Sequence, residues 1–563
     1  MSLTPTLIKQ ILQKNPQNFN ELMSIVRSEI AKLHAPLPTK AELLHAYREL
    51  LASKEILPNK NLENILKTRK VRTLSGVAPI TVMTAPMSCP NRCLYCPTEV
   101  NMPKSYLSNQ PAAMRAVLAG FDPFIQTQTR LKALKENGHS TDKIEIIING
   151  GTWSHHPKYY QTWYIKRIFE ACNYYGRGNT ADRIKYQDVK KAIQEKLSHK
   201  IPIEEIMRTE DDSKIMAELM KEQLANETAE NRIIGITLET RPDFITPEEI
   251  KRMRMLGGTK VEIGVQNIYP EILELNRRGH GIKEVIRATK LLKDAGFKVA
   301  YHIMPAMFGS SPEKDIQMSK DLFSKPDFKP DFLKIYPCVV VKDSDLYEIF
   351  KMGKFIPYST EILIDTLIKI KQEAPRYCRI ARITRDIPQE SIMGGCTITN
   401  LREVIQKKME KRKIKCECIR CREAKDEEIN PENIKLNIIK FEASGATEYF
   451  LTFDSLDGKT LYAFLRLRLP NQSQKEIWET LPELKDAGMV RELHTYGKLM
   501  PLKTHDDKNA QHSGFGKRLM AEAENIAREN GIKKMAVISG VGVREYYAKI
   551  GYRKEGTYMS KQL

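Results

Sequence analysis

Between residues 78 and 385 the chain alternates short apolar, β-branched runs with longer helical stretches. "ITVMTAP", "IEIIING", "IIGITLET", "KVEIGVQ", "KVAYHIM", "FLKIYP" and "RIARIT" each read as a buried parallel strand, and stretches such as "IKEVIRATKLLKDAG", ending at Gly296, read as the helices between them. Repeated βα units of this kind predict a parallel sheet, open or closed into a full or partial barrel, with reactive groups on the loops leaving the C-terminal strand ends. Before it, residues 1–75 predict amphipathic helices ("TLIKQILQK", "FNELMSIVRSEIAKL", "TKAELLHAYRELLASK") with basic polar faces and a closing basic run, "LKTRKVR". After it, residues 386–432 read as irregular. Residues 433–563 predict an α/β domain, with strands near "NIIKFEA", "EYFLTFD", "TLYAFLRLRL", "MVRELHTYG" and "KKMAVISG" around the helix "GFGKRLMAEAENIAREN". The barrel segment is therefore set at 76–385.

Length and charge narrow the reading. A chain of 563 residues holds two or three domains, and 90 Lys and Arg against 70 Asp and Glu give +20, which favours a polyanionic partner held through phosphate contacts. The N-terminus shows neither a signal peptide nor an apolar span, so the 10 cysteines are expected in a reducing, cytoplasmic compartment with no membrane contact.

Three of those cysteines, Cys89, Cys93 and Cys96 in "SCPNRCLYCP", follow the first strand. Four thiolates would close a structural zinc site; three at this spacing suit a [4Fe–4S] cluster with one iron left open, the alternatives being zinc completed by a distant residue or buried thiols. After the second strand, Gly150 and Gly151 in "NGGTW" allow a close approach of backbone to a ligand. In "QHSGFGKRLM" the amides of Gly514, Phe515, Gly516 and Lys517 fall at a predicted helix start, where unpaired N–H groups can cradle a pyrophosphate. Tyr547, in "YYAKIGY", is either a proton donor to a thioester or a packed ring. "KCECIRC" places Cys416, Cys418 and Cys421 where a structural zinc would stabilise a segment with little core, with Cys396 and His494 as candidate fourth ligands. Cys172, Cys338 and Cys378 read as ordinary buried thiols.

The cysteine loop followed by the glycine pair resembles radical S-adenosylmethionine (SAM) enzymes, and Gln-x-x-Gly-x-Gly resembles the acyl-CoA loop of GNAT-type acetyltransferases. Together with "PAAMRAVLAGFDPF", "GITLETRPD", "EIGVQNIY", "NRRGH", "RELHTYG" and "ISGVGVREYYAKIGY", over essentially residues 70–563, the chain resembles the Elongator catalytic-subunit family of tRNA-uridine acetyltransferases. The resemblance implies an α/β architecture: a basic helical tRNA-binding module (1–75), a radical SAM partial (β/α) barrel (76–385), a zinc-containing linker (386–432) and a GNAT-type domain (433–563). It assigns Cys89, Cys93 and Cys96 to the cluster, and Lys143, Glu492, Leu493, His494, Thr495, Phe515, Gly516, Lys517 and Tyr547 to acetyl-CoA. The implied reaction is carboxymethylation of the wobble uridine, position 34 in the tRNA anticodon, at C5. There, a deoxyadenosyl radical takes hydrogen from the acetyl methyl, the carbon radical adds to uracil, and thioester hydrolysis follows. An electron donor is implied. The short spacer between the first two cluster cysteines implies a bacterial or archaeal version that does not need the other Elongator subunits. The competing readings are a protein-lysine acetyltransferase with a structural cluster, and a non-enzymatic RNA-binding scaffold.

Overall fold

All seven apolar runs are strands of one sheet. The computed structural model describes residues 3–33, 36–67, 76–176, 212–424, 433–471, 474–496 and 514–563. Strands β1 (Ala78–Met83), β2 (Lys143–Asn149), β3 (Arg232–Thr240), β4 (Gly258–Gln266), β5 (Lys298–Ile303), β6 (Phe332–Ile335) and β8 (Arg379–Ile383) pair in that order, every neighbour parallel. β7 (Val340–Val341) and β9 (Ile392–Gly394) form a separate two-stranded ribbon. Among the described residues β1 and β8 each keep one edge unpaired, so the sheet is a partial barrel. The expectation of strands apolar on both faces is corrected on the concave side. In β2, Ile144, Ile146 and Ile148 are buried on the helix-covered face, whereas Lys143, Glu145 and Asn149 face an internal cavity. That cavity leaves room for polar side chains where a filled barrel core has none.

The C-terminal sheet contains β10 (Ile434–Ala443), β11 (Ala446–Ser455), β12 (Leu461–Arg468), β13 (Ala487–Thr495), β14 (Lys534–Val537), β15 (Arg553–Glu555) and β16 (Tyr558–Gln562), in the order β10-β11-β12-β13-β14-β16-β15. Among the described strands of this sheet only β13 and β14 run parallel, and their ladder ends at Val490↔Val537, so Arg491 to Thr495 continue without a β14 partner. β15 and β16 were missed because neither carries a long apolar run.

The N-terminal helices α1 (Leu3–Lys14), α2 (Phe19–Leu33) and α3 (Lys40–Ala52) match expectation, and α4 (Lys60–Leu66) adds a short fourth. α3 starts at a capping box of Thr39 and Glu42, and α4 at the Asn59 side chain, which accepts from the Leu62 amide at 2.9 Å. The bundle has its own core, including Leu7, Leu22, Leu43, Tyr47 and Leu62. Residues 68–72 of the basic run lie outside the described residues. The segment expected to be irregular contains a helix, Leu401–Lys411, burying Leu401, Ile405 and Met409. Dense charge between these apolar positions obscured their i, i+4, i+8 spacing.

The two sheets meet through buried charge. Arg491 of β13 donates to Asp331, immediately before β6, and to Glu448 of β11 at 3.2 Å. Arg468 of β12 pairs with Asp294 and with Glu448, the latter at 3.1 Å, and Lys293 also reaches Glu448 at 3.1 Å. These groups are 0–3 % exposed. Asp294 and Lys293 end the helix Ile282–Asp294, so the contact is made with the N-terminal ends of the barrel strands. Burial alone would raise the Glu448 carboxyl; Arg491, Lys293 and Arg468 outweigh it and hold it below the ordinary 4.5.

Arg491→Met strands Asp331 and Glu448 with fewer counter-charges and is expected to cost about 3–5 kcal/mol, whereas Lys459→Met, in the exposed Lys459–Asp457 pair, is expected to leave the melting temperature nearly unchanged. Thermal denaturation of the two variants checks this, and equal shifts would contradict it. Because the folded-state pKa of Glu448 is depressed, its contribution is present above 4.5 and is lost as pH falls below that value. The gap between native protein and Arg491→Met should accordingly narrow in acid.

Candidate active site

The cysteine loop leaves the C-terminal end of β1, as the βα pattern requires. It is fastened by Leu94 N–H to Asn276 C=O at 3.2 Å and Leu346 N–H to Leu94 C=O at 2.8 Å. Cys89, Cys93 and Cys96 all line the internal cavity. Among the described residues, the one group of three or more His, Cys, Asp or Glu ligand atoms mutually within 4.8 Å is Cys416, Cys418 and Cys421. The three loop thiols are therefore spread more widely than a single ion needs, which fits separate corners of a cluster. Gly150 (φ +131°) and Gly151 (φ +102°) occupy backbone open to glycine, and a Cβ at Gly150 would lie 1.9 Å from Thr84 Oγ1. The next residue, Thr152, places Oγ1 3.8 Å from Cys89 Sγ, so the glycine turn lies beside the thiols. Close backbone approach next to the open side of a cluster suits the amino-acid end of SAM.

At the opposite end of the cavity, Gly514 (φ +74°) caps the helix Phe515–Glu529 without a side-chain bond, leaving the first amides to a ligand. Gly514, Gly516 and Lys517 line the cavity; Phe515 is buried against Phe453 at 4.7 Å, so only its backbone is offered. Glu492, Leu493, His494 and Thr495, on the end of β13 that pairs with β12 but extends past β14, form one wall. Glu492 accepts from Arg466 at 2.8 Å, which ties it to the interface charge, and His494 stacks between Phe464 and Tyr496 at 5.8 and 4.4 Å. Tyr547 is buried and lines the same end, and burial raises its phenol, so it stays a donor at neutral pH. Lys143, at the start of β2, joins this group, with its ammonium pKa lowered by burial. Sequence reasoning missed Tyr546, whose hydroxyl would stand 2.8 Å from a Cβ at Gly516. Gln511 lies outside the described residues.

One cavity of about 1920 Å³ contains both ends. Between them the inner strand faces carry a ladder. Glu145 pairs with Lys260 at 2.8 Å, Glu262 with Lys334 and with His302 Nε2 at 2.9 Å, and Tyr106 donates to Glu239 at 3.2 Å. Burial opposes the Glu262 carboxylate, yet Lys334, His302 and Lys260 hold its pKa well down. The signal for these residues was present as isolated charges inside otherwise apolar runs, in "IEIIING", "KVEIGVQ" and "FLKIYP". Cys416, Cys418 and Cys421 gather where the short helix Ile419–Arg422 packs beside β8, and Cys421 also lines the cavity rim. Neither Cys396 nor His494 joins them. Cys172, Cys338 and Cys378 are buried thiols, as expected.

Residues 86–322 match the Radical SAM superfamily model and residues 330–411 the Radical_SAM C-terminal domain. The chain is 40% identical to the tRNA uridine(34) acetyltransferase of Methanocaldococcus infernus, covering 99% of both chains. It is 34% identical to human Elongator complex protein 3, covering 99% of this chain and 96% of that one. A solved structure, the archaeal Methanocaldococcus infernus Elp3 with an N-terminal deletion, superposes with a TM-score of 0.68 at 39% identity, over 87% of this chain and all of that one. Identity of this extent, spanning both sheets and the cysteine loop, means that the chain belongs to the tRNA uridine(34) acetyltransferase family, which includes Elongator complex protein 3.

Proposed function

We propose that the protein carboxymethylates the wobble uridine of tRNA, position 34, at C5, with acetyl-CoA as the two-carbon donor. The observation that carries this reading is the single cavity joining the cysteine loop to the helix N-terminus at Gly514. A protein-lysine acetyltransferase needs only the second end, and would have no use for a polar passage to three thiols. The radical SAM family implies a [4Fe–4S] cluster and SAM; bound at Cys89, Cys93 and Cys96, the cluster would supply the electron that starts radical chemistry.

The chain's own groups do the rest. Gly150 and Gly151 bring backbone up to the cofactor's methionine end. The amides of Gly514 to Lys517 hold the CoA pyrophosphate, and Lys517 adds a cation. Tyr547 donates its phenolic proton to the thioester, stabilising charge that develops as the bond to sulfur breaks. Lys143, desolvated on the facing wall, orients the acyl group. Arg382, Arg385, Arg402, Lys407 and Arg420 line the cavity beside β8 and the helix Leu401–Lys411, a basic rim suited to tRNA phosphates. The N-terminal bundle adds a second basic surface, docked on the barrel through Arg48, which donates to the Lys135 carbonyl at 2.5 Å. Cys416, Cys418 and Cys421 would hold a structural zinc, which would secure the rim.

Incubating tRNA with the protein, SAM, a reductant and methyl-labelled acetyl-CoA should place label on uridine, read by mass spectrometry; label found only on lysine peptides would support the acetyltransferase reading instead. Tyr547→Phe is expected to lower acetyl-CoA hydrolysis by about a hundredfold while SAM cleavage persists. The two cysteine sets should separate cleanly. Serine at Cys89, Cys93 or Cys96 is expected to abolish cluster absorbance with zinc retained, and Cys416→Ser to lower zinc content and melting temperature with cluster absorbance kept. Metal analysis that shows both metals lost from either set would contradict the assignment.

A further inference from the structure

The loop Asn276–His280 carries a buried cation, Arg278, that lines the cavity beside the cysteine loop and takes no part in the interface network. Arg278 is 7 % exposed. Its Nε and Nη2 both donate to the Gly264 carbonyl, at 3.2 and 2.6 Å, and its Nη1 donates to Cys93 Sγ at 3.5 Å. Among the described residues it has no carboxylate within salt-bridge distance. The neighbouring acid, Asp243, is taken by Arg241 through two bonds of 3.0 and 2.8 Å.

The surroundings fix this guanidinium rather than merely accommodate it. The Arg278 carbonyl accepts from Asn91 Nδ2 at 3.1 Å, in the cysteine loop, and from Arg241 Nη1 at 3.0 Å. Gly279 (φ +73°) lets Asn91 approach, since a Cβ there would lie 1.8 Å from Asn91 Nδ2. Gly264 is equally constrained, because a Cβ would lie 2.6 Å from Arg278 Nη2. Two glycines thus clear the way for one arginine to face one thiol. A buried guanidinium without a carboxylate partner is costly unless an anion meets it, and the sulfur of Cys93, a thiolate wherever it ligates iron, is the acceptor in place.

We propose that Arg278 sets the reduction potential of the cluster, by donating a charge-assisted hydrogen bond to the Cys93 thiolate. This rests on the cluster assignment above. One-electron reduction by an external donor adds one negative charge to the thiolate-bound cluster, and a fixed cation and donor at a ligand sulfur stabilise that added charge. Hydrogen bonding to cluster sulfurs is one of the levers that set such potentials. Arg278 is accordingly a positioning and tuning residue, acting through the cluster ligand Cys93.

The test is redox titration of anaerobically reconstituted protein, followed by the spin signal of the reduced cluster, on the native chain, Arg278→Lys and Arg278→Gln. All three should bind the cluster. At the potential where the native protein is half reduced, Arg278→Gln should show about tenfold fewer reduced clusters relative to oxidised ones, as expected for loss of a charged hydrogen bond, and Arg278→Lys should stay near the native value. Equal potentials in all three would overturn the proposal, as would loss of the cluster from both variants, which would make Arg278 a purely structural support. A native protein that binds no cluster would instead defeat the reading on which it rests.

Discussion

Eight buried charges hold the two halves of this molecule in one orientation: Lys293, Arg466, Arg468 and Arg491 against Asp294, Asp331, Glu448 and Glu492. The set is neutral overall, but neither half is neutral alone. The barrel contributes Lys293, Asp294 and Asp331, and the second domain the other five. Such a network gains little over an apolar interface, because desolvation consumes most of the attraction. What it imposes is register, since a sliding or rotated contact would leave ions buried without partners.

Register matters because the side chains that line the cavity are divided between the halves. The barrel strands present their N-terminal ends to the second domain and their C-terminal ends to the cysteine loop. Along β4, Lys260 lies toward the first and Gln266 toward the second, a run of about 20 Å at ~3.3 Å per residue. The Gly514 turn and Tyr547 are thus a strand's length from the thiols, and the connection runs through the barrel interior. This accounts for the polar inner faces. Glu145, Lys260, Glu262 and Lys334 give the passage a polar lining, where Ile and Val would make it apolar.

Much of this was legible in the chain. The seven β-branched runs announced the sheet because strands covered by helices need continuous apolar faces, and the cysteine spacing and glycine turns singled out two stretches that the fold places at the two ends of one cavity. The inner ladder was not read, although its charges stood in plain view, because a lone Glu145 or Lys260 says nothing about a partner on another strand. Arg278 was hidden for the same reason: its contacts with Gly264 and Cys93 are 14 and 185 residues away in sequence. The helix Leu401–Lys411 was lost among its lysines, and the pairing of the two domains left no local signature, since ions matched across an interface look like surface charge in sequence.

The central claim is that two distant ends work through one interior passage. Ala300, between Lys298 and His302 on the inner face of β5, is a small side chain lining that passage. Ala300→Trp should narrow it without touching the thiols or the Gly514 turn. Measured side by side, SAM cleavage and acetyl-CoA binding should remain near native levels while modified uridine disappears. Undiminished uridine modification by an Ala300→Trp protein that folds and binds both cofactors would contradict the account.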